Sequence, residues 1–399
     1  MWDFLVIGAG PAGLKAGIKA AENGIRTKVI DEFPKPGGRL LGQLYQDNNG
    51  EWWNGIKEAE ALVRKAESLN INIECGLSVY DLESKEDCWV VHTENSAIQT
   101  KHLLLATGAS EKHFPLPGWT LPGTMSIGAA QVMSNVHRVK PGDNCIVIGV
   151  NVLSLSIAEE LNMCGVNVKA IVLPVTHQIE EQAAKPQEVI SRLMNLTHLA
   201  PSRILKILGS IGKLLPANLI AKIYPKQGIK MNGIPIKLKT AAQEIVGQDT
   251  VEGVELVDID KEGVVIPKTE KVEQVDVVCI SGGLTPLAEL ASVAGCEFKY
   301  VEALGGYVPV HNEKMETSIS NLYVAGNITG VESAKVAMAQ GEVAGLSVVK
   351  KQFDNNEIIV KQVDDAIEKV KRVRDEALIQ FQPHIDKERT KLYQQSVEN

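Results

Sequence analysis

The chain has 399 residues, 44% hydrophobic and 23% charged, with 49 acidic side chains against 41 basic ones. That length calls for about two or three domains with sizeable cores, and the composition excludes a disordered chain. A net charge of −8 argues against a general nucleic-acid binder, and six cysteines, none spaced as CxxC, exclude a disulfide scaffold, a redox dithiol and a zinc knuckle.

Residues 1–13 read MWDFLVIGAGPAG, with no basic region ahead of the glycines, so no signal peptide is expected. No apolar run approaches the ~20 residues of a membrane span. A cytoplasmic enzyme is the simplest expectation. Phe4-Leu5-Val6-Ile7 is a wholly apolar run, as in a parallel strand covered on both faces. Gly8-Ala9-Gly10-Pro11-Ala12-Gly13 follows as a GxGxxG, then a helical pattern with Leu14, Ile18 and Ala21 on one face and Gly24 as its C-cap. A second strand over residues 27–30 ends in Asp31, followed by Glu32. Gly8 permits the tight turn, Gly10 admits a pyrophosphate, and Gly13 lets helix and strand pack closely. Asp31, eighteen residues beyond Gly13, is placed to take the hydroxyls of an adenosine ribose.

Pro36-Gly37-Gly38-Arg39 forms a loop able to pass close to a bound dinucleotide. Trp52 and Trp53 open a helix with Ile56, Val63 and Ala66 on one side; core packing is expected of them, with a lid over the cofactor as the alternative. Leu103-Leu104-Leu105-Ala106-Thr107-Gly108 is another buried strand with small residues at its end. Lys112 and His113 come next and are the nearest candidates to the reactive edge of a bound cofactor, although His102, His113 and His137 are expected to be structural or exposed. A second βαβ pattern runs from Asn144–Ile148 through Gly149-Val150-Asn151-Val152-Leu153-Ser154 and a helix to Met163, then a strand over 166–172. Its glycine positions read Gly149, Asn151 and Ser154, and its second strand ends in Leu173-Pro174 without an acid, so a nucleotide site here is degenerate.

Between Glu188 and Glu244 there is no Asp or Glu, while Arg192, Arg203, Lys206, Lys213, Lys222, Lys226, Lys230, Lys237 and Lys239 fall inside the window. Short amphipathic helices are expected, broken at Pro201 and Pro216. They read as a cap with solvated lysines, a docking face for an acidic partner, or a membrane-surface segment. Asn321-Leu322-Tyr323-Val324-Ala325-Gly326-Asn327 is a late strand ahead of a helix over about 333–349. Past Val349 a charge-rich helix carries Val360, Val363, Ile367, Val370, Ala377 and Phe381, interrupted by Arg374 and stopped by Pro383; it is expected to pack onto the body, with oligomerisation the alternative.

The first glycine loop, the Ala106-Thr107-Gly108 strand end and the late strand-Gly-Asn-helix resemble the FAD-binding elements of two-dinucleotide flavoprotein oxidoreductases. A narrower resemblance lies in Pro117-Gly118-Trp119-Thr120-Leu121-Pro122-Gly123 with Gly128-Ala129-Ala130-Gln131, and in Gly295-Cys296 with Tyr300 and Gly305-Gly306-Tyr307-Val308-Pro309. Both are similar to the FAD subunits of hydrogen cyanide synthase, opine oxidase, dye-linked proline dehydrogenase and heteromeric sarcosine oxidase. The resemblance implies FAD held by Gly8, Gly10, Pro11, Ala12, Gly13, Asp31, Glu32, Gly38, Arg39, Ala106, Thr107, Gly108, Gly326 and Asn327. The wider family ends the late strand in Gly-Asp; Asn327 here can still bond a ribityl hydroxyl but removes one charge. Disulfide reductases of the family use CxxC beside the flavin, whereas Cys75, Cys88, Cys145, Cys164, Cys279 and Cys296 are separate in sequence. No cysteine follows Cys296, so the 2Fe–2S centre that relatives often carry is not expected.

The expected fold is α/β, with two Rossmann-like dinucleotide-binding domains, the second inserted in the first, and a C-terminal helix. Residues 1–121 and 286–350 form the FAD domain, 122–285 an NAD(P)-like domain with a basic insertion at about 187–225, and 351–399 a helical tail. The expected function is an FAD-dependent oxidoreductase, the flavin subunit of an amino-acid or secondary-amine dehydrogenase acting on a small molecule with a second subunit or electron acceptor. A self-contained NAD(P)H-dependent reductase and a non-catalytic flavoprotein subunit are the alternatives. No metal and no catalytic side chain is assigned; NAD(P) or another adenine nucleotide at the second site is left open, and an oligomer is expected.

Overall fold

The computed structural model describes residues 1–46, 50–175, 181–195, 216–353, 356–377 and 385–398. It divides into two compact units: Met1–Gln43, Trp53–Ser110 and Leu284–Asn399 form the first, and Leu44–Trp52 with Glu111–Gly283 the second.

The first unit is built on a 7-stranded sheet. The Trp2–Ile7 strand lies between Thr27–Asp31 and Ala97–Leu105, parallel to both, and Asn72–Cys75 extends the parallel part beyond Thr27–Asp31. The last strand, Leu322–Val324, joins parallel to Ala97–Leu105, pairing Leu322 with Leu103. Two chain-distant segments therefore complete one sheet, as a domain made from both ends of a sequence requires. Alternation explains the apolar runs: Phe4, Val6 and Leu104 pack with the first helix (Pro11–Glu22), while Leu5, Ile7, Leu103 and Leu105 pack on the opposite face with Leu82, Trp89 and Ala291. The closing helix, Ala334–Gln352, lies so near the first that a Cβ on Gly341 would stand 2.0 Å from the Ala12 carbonyl oxygen.

The tail forms two helices, Glu357–Asp375 and Ile385–Glu398, where one was expected. Val363, Ala366, Ile367 and Val370 bury the apolar stripe of the first tail helix against the closing helix. Phe381 and Pro383 lie outside the described residues.

The second unit holds an 8-stranded sheet. Thr124–Ser126, Val277–Ile280, Asn144–Ile148, Asn167–Pro174 and Ile234–Val246 run parallel, and Gly253–Asp258 and Lys271–Gln274 add an antiparallel edge. The sequence PGWTLPG ties into it through backbone: Pro117 O and Pro122 O accept from Ile245 N and Val251 N, both at 2.9 Å. In the basic stretch, Pro186–Asn195 and Ala217–Ile223 are helical, and the Lys226 ammonium is 3.3 Å from Asp258. Pro201, Arg203, Lys206 and Lys213 lie outside the described residues.

Helices Ile127–Asn135 and Val152–Met163 flank this sheet and enclose Glu160, 4% exposed. Its carboxylate accepts from Gln131 Nε2 at 3.1 and 3.0 Å and from Asn135 Nδ2 at 2.5 Å. Burial pushes its carboxyl up to about 7, against the opposing effect of the amide donors. A carboxyl raised in the folded state holds its proton there after the unfolded chain has lost it. Stability is therefore greatest below the unfolded value and declines as pH rises toward 7, by on the order of 3 kcal/mol. Unfolding midpoints of the second unit should fall between about pH 5 and about pH 8 and flatten in Glu160→Gln; an undiminished slope in the variant would rule out Glu160 as its source.

Candidate functional site

The Trp2–Ile7 strand ends in a turn at Gly8, φ +108°, whose N–H donates to Ile30 O at 2.8 Å. A Cβ there would lie 2.4 Å from Ala106 O, so only glycine lets these strand ends close on one another. Ala9 anchors two further pieces: its N–H donates to Asp31 Oδ2 at 2.6 Å, and its carbonyl accepts from Gly37 N at 2.8 Å. Asp31 also accepts from Phe33 N at 2.8 Å, and burial raises its carboxyl above the ordinary value despite the two backbone donors. Each oxygen keeps a second lone pair for a hydroxyl donor. Gly10 is extended, and a Cβ on it would meet nothing closer than Gly38 Cα at 4.0 Å. The first helix starts immediately after it, with Pro11 in its first turn, and among the described residues no side chain caps its N-terminus. An uncapped helix start behind an open glycine is a cradle that a dinucleotide pyrophosphate fits.

Other parts of the first unit close around that loop. A Cβ on Gly38 would come within 2.9 Å of Gly10 Cα, and one on Gly326 within 2.9 Å of Ala12 Cβ. Gly13 instead packs helix on strand, with a Cβ position 1.9 Å from Gly8 O. Thr107 Oγ1 donates to Leu287 O at 2.5 Å, and Leu287 N donates to Gly108 O at 3.1 Å, holding the small-residue strand end. Gly326 N donates to the side-chain oxygen of Gln340 at 2.9 Å, and Asn327 Oδ1 accepts from Glu332 N at 3.2 Å. With its oxygen engaged in that bond, the Asn327 amide has its Nδ2 as the donor group. Arg39 turns to Ala109, its Nε and Nη2 donating to the carbonyl at 3.2 and 2.7 Å, and Glu32 is exposed. Gly8, Gly10, Ala12, Asp31, Gly38, Ala106 and Gly326 are thus neighbours in space. Gln340 is a participant that sequence reasoning missed; a glutamine set between the small residues Ala339 and Gly341 was the available signal.

The second loop repeats the first geometry for one residue and then departs from it. Gly149 has φ +105°, donates to Val172 O at 2.8 Å, and would place a Cβ 2.1 Å from Ser281 O. Asn151 stands where the first loop has Gly10. Its Oδ1 accepts from Ser154 N at 3.1 Å, Ser154 Oγ accepts from Asn151 N at 2.8 Å, and its Nδ2 donates to Ser281 O and Oγ at 2.9 and 3.0 Å. The helix start is closed by its own capping box. A pyrophosphate there would have to displace a side chain bonded to both Ser154 and Ser281.

All six cysteines are free thiols. Cys145 and Cys279, separate in sequence, are adjacent in the fold, with Sγ atoms 3.6 Å apart and no exposure. The neighbouring Cys279 thiol and burial raise the Cys145 thiol well above its ordinary value, which keeps it protonated and unreactive. His102 is buried, and burial pushes it down to about 4, while Lys112, His113 and His137 are exposed. The tryptophans differ from expectation. Trp52–Asn54 is a short strand, the helix begins at Gly55, and Trp52 is 54% exposed. Asn54 caps that helix, so the aromatic pair precedes the helical face that packs. Trp53 donates from Nε1 to Gln43 at 3.1 Å and has the Lys335 ammonium 5.2 Å from a ring centroid.

The model of the family described as pyridine nucleotide-disulphide oxidoreductase matches residues 2–341. An opine oxidase subunit of Agrobacterium tumefaciens (strain Ach5) is 27% identical over 364 residues, covering 87% of this chain and 65% of that protein. The hydrogen cyanide synthase subunit HcnB of Pseudomonas protegens is 23% identical over 360 residues, covering 86% of this chain and 70% of that one. The chain therefore spans about two thirds of the length of these relatives. Among solved structures, L-proline dehydrogenase from P. horikoshii superposes with a TM-score of 0.62 at 19% identity, covering 91% of this chain and 58% of that one, a likeness of fold.

Proposed function

The chain belongs to the pyridine nucleotide-disulphide oxidoreductase family and is an FAD-dependent oxidoreductase, and on that premise we propose that it is the flavin subunit of an amino-acid or secondary-amine dehydrogenase, working with a second subunit. The observation that carries this reading is the contrast between the two helix starts: the one after Gly10 is open, and the one after Asn151 is capped from within. A chain that closes its own second site takes its electrons from a source other than a nicotinamide. Opine oxidase and hydrogen cyanide synthase, by name, are assemblies of subunits, which supports a partner as that source.

When bound, FAD supplies the two-electron acceptor chemistry of the reaction. In this reading Gly10 and the N-terminus of Pro11–Glu22, with Ala12 and Gly13 behind them, receive the pyrophosphate, and Asp31, with Glu32 beside it, accepts from the ribose hydroxyls. Gly38 and Arg39 line the loop above. Ala106, Thr107 and Gly108 would line the cofactor at the neighbouring strand end, and Gly326 and Asn327 would hold its ribityl chain. The helix dipole of Pro11–Glu22 favours the phosphate charge.

Anaerobic mixing of the yellow protein with NADH, NADPH, proline or sarcosine tests the reading through flavin absorbance. The expected result is no rapid bleaching by any donor until the co-purified partner is added. Rapid bleaching of the chain alone by NADH or NADPH would replace this function with a self-contained reductase.

A further inference from the structure

Arg374, the residue that interrupts the apolar stripe of the first tail helix, is 5% exposed, and Arg389 of the second tail helix is 1% exposed. Both reach Glu332, itself 8% exposed: Arg374 Nε and Nη2 lie 2.5 and 3.2 Å from its carboxylate oxygens and Arg389 Nη2 lies 2.7 Å away. Arg374 Nη1 also donates to Asp386 at 3.0 Å, joining the two tail helices. Burial alone would raise the Glu332 carboxyl, but Arg389 and then Arg374 overcome it and hold the group below its ordinary value. Buried charges of this kind persist only when paired.

The cluster continues to the late glycine motif. Glu332 N donates to Asn327 Oδ1 at 3.2 Å, and Gln340, which accepts from Gly326 N, donates to Glu332 Oε2 at 3.5 Å. Arg389 Nη1 donates to Thr329 Oγ1 at 3.2 Å, and that hydroxyl donates to Gly326 O at 2.8 Å. Apolar contacts reinforce the docking: Ile385 and Leu392 enter a cluster with Leu304 and Val308, and the Tyr393 ring meets buried His311 edge-on at 5.5 Å. The two tail helices thus reach, through Glu332 and Thr329, the loop that carries Gly326 and Asn327.

We propose that Glu332, gripped by Arg374 and Arg389, is a positioning residue for FAD, and that the two tail helices are a cofactor clamp whose docking and FAD binding favour one another. The proposal rests on the flavin reading of the Gly326–Asn327 turn. A cluster that served stability alone would leave FAD binding and tail docking independent. A positioning cluster couples them, and the coupling is reciprocal.

The full chain carrying Arg389→Met, Arg389→Lys or Thr329→Val, stripped of flavin and titrated with FAD, tests this, together with amide exchange of residues 385–394 with and without FAD. Arg389→Met should bind FAD about tenfold more weakly or worse, and Arg389→Lys should recover part of the loss. FAD should slow exchange in the second tail helix of the wild type and lose that effect in Arg389→Met. If Arg389→Met does not fold, Thr329→Val, which cuts the same contact from the loop side, should show the same two changes. FAD affinity within about twofold of wild type, with exchange in the tail indifferent to FAD, would overturn the clamp even if melting temperature falls. Wild-type protein that binds no FAD would overturn the flavin reading itself, and the clamp with it.

Discussion

Replacing Gly10 by valine should leave the protein folded and cost it its cofactor. The residue is extended, a conformation open to any side chain, and a Cβ there meets no atom closer than 4.0 Å. The side chain therefore starts in open space, on the side where the dinucleotide would pass. FAD affinity should fall about 100-fold, or about 3 kcal/mol, while the stability of the flavin-free protein changes by no more than about 1 kcal/mol. Gly8→Ala is the control with the opposite signature. At φ +108° and 2.4 Å from Ala106 O, its methyl strains the fold before any ligand binds, and the flavin-free protein should lose about 1–3 kcal/mol. Flavin fluorescence titration and denaturant melts separate the two. Wild-type FAD affinity in Gly10→Val would take the pyrophosphate away from this loop.

Glu332→Ala should be among the most damaging single changes in the first unit. It removes one carboxylate and strands two guanidiniums that are 5% and 1% exposed. Breaking a buried pair in this way costs about 3–5 kcal/mol, because Arg389 loses its counter-ion in a site closed to water and Arg374 keeps only the half-exposed Asp386. The urea midpoint of the first unit should fall accordingly, with the slope of its transition preserved. Replacing the whole cluster, Glu332→Leu with Arg374→Met and Arg389→Met, should restore most of the loss, since nothing charged then remains buried. A single variant with wild-type stability would mean that water reaches the cluster.

Local chemistry makes the first βαβ unit legible. A fully apolar strand, glycines at fixed spacing and an acid at the next strand end each constrain only a few neighbouring residues, and those constraints lie within residues 4–31. The degeneracy of the second loop is legible for the same reason, because Asn151 and Ser154 occupy glycine positions. Two things stay hidden at that level. The tail reads as one amphipathic helix with a blemish at Arg374, whereas Arg374 is the point of contact: a lone arginine in an apolar stripe predicts a buried partner but does not name it. Trp52 and Trp53 read as part of a helical face because Ile56 and Val63 follow them, but the cap at Asn54 starts that helix only at Gly55.

The order of the chain by itself determined that a strand, a glycine turn and a helix would form twice, that one turn would be open to a ligand and the other crowded, and that no dithiol would lie in a CxxC. These are consequences of steric rules acting over a few residues. Only the tertiary structure decided that Gly38, Ala106 and Gly326 meet at the first turn, that Asn151 spends its donors on Ser281, and that the tail ends in an ion cluster behind Asn327. Such contacts join residues tens to hundreds of positions apart, and a buried charge or amide chooses its partner by what the fold brings within reach.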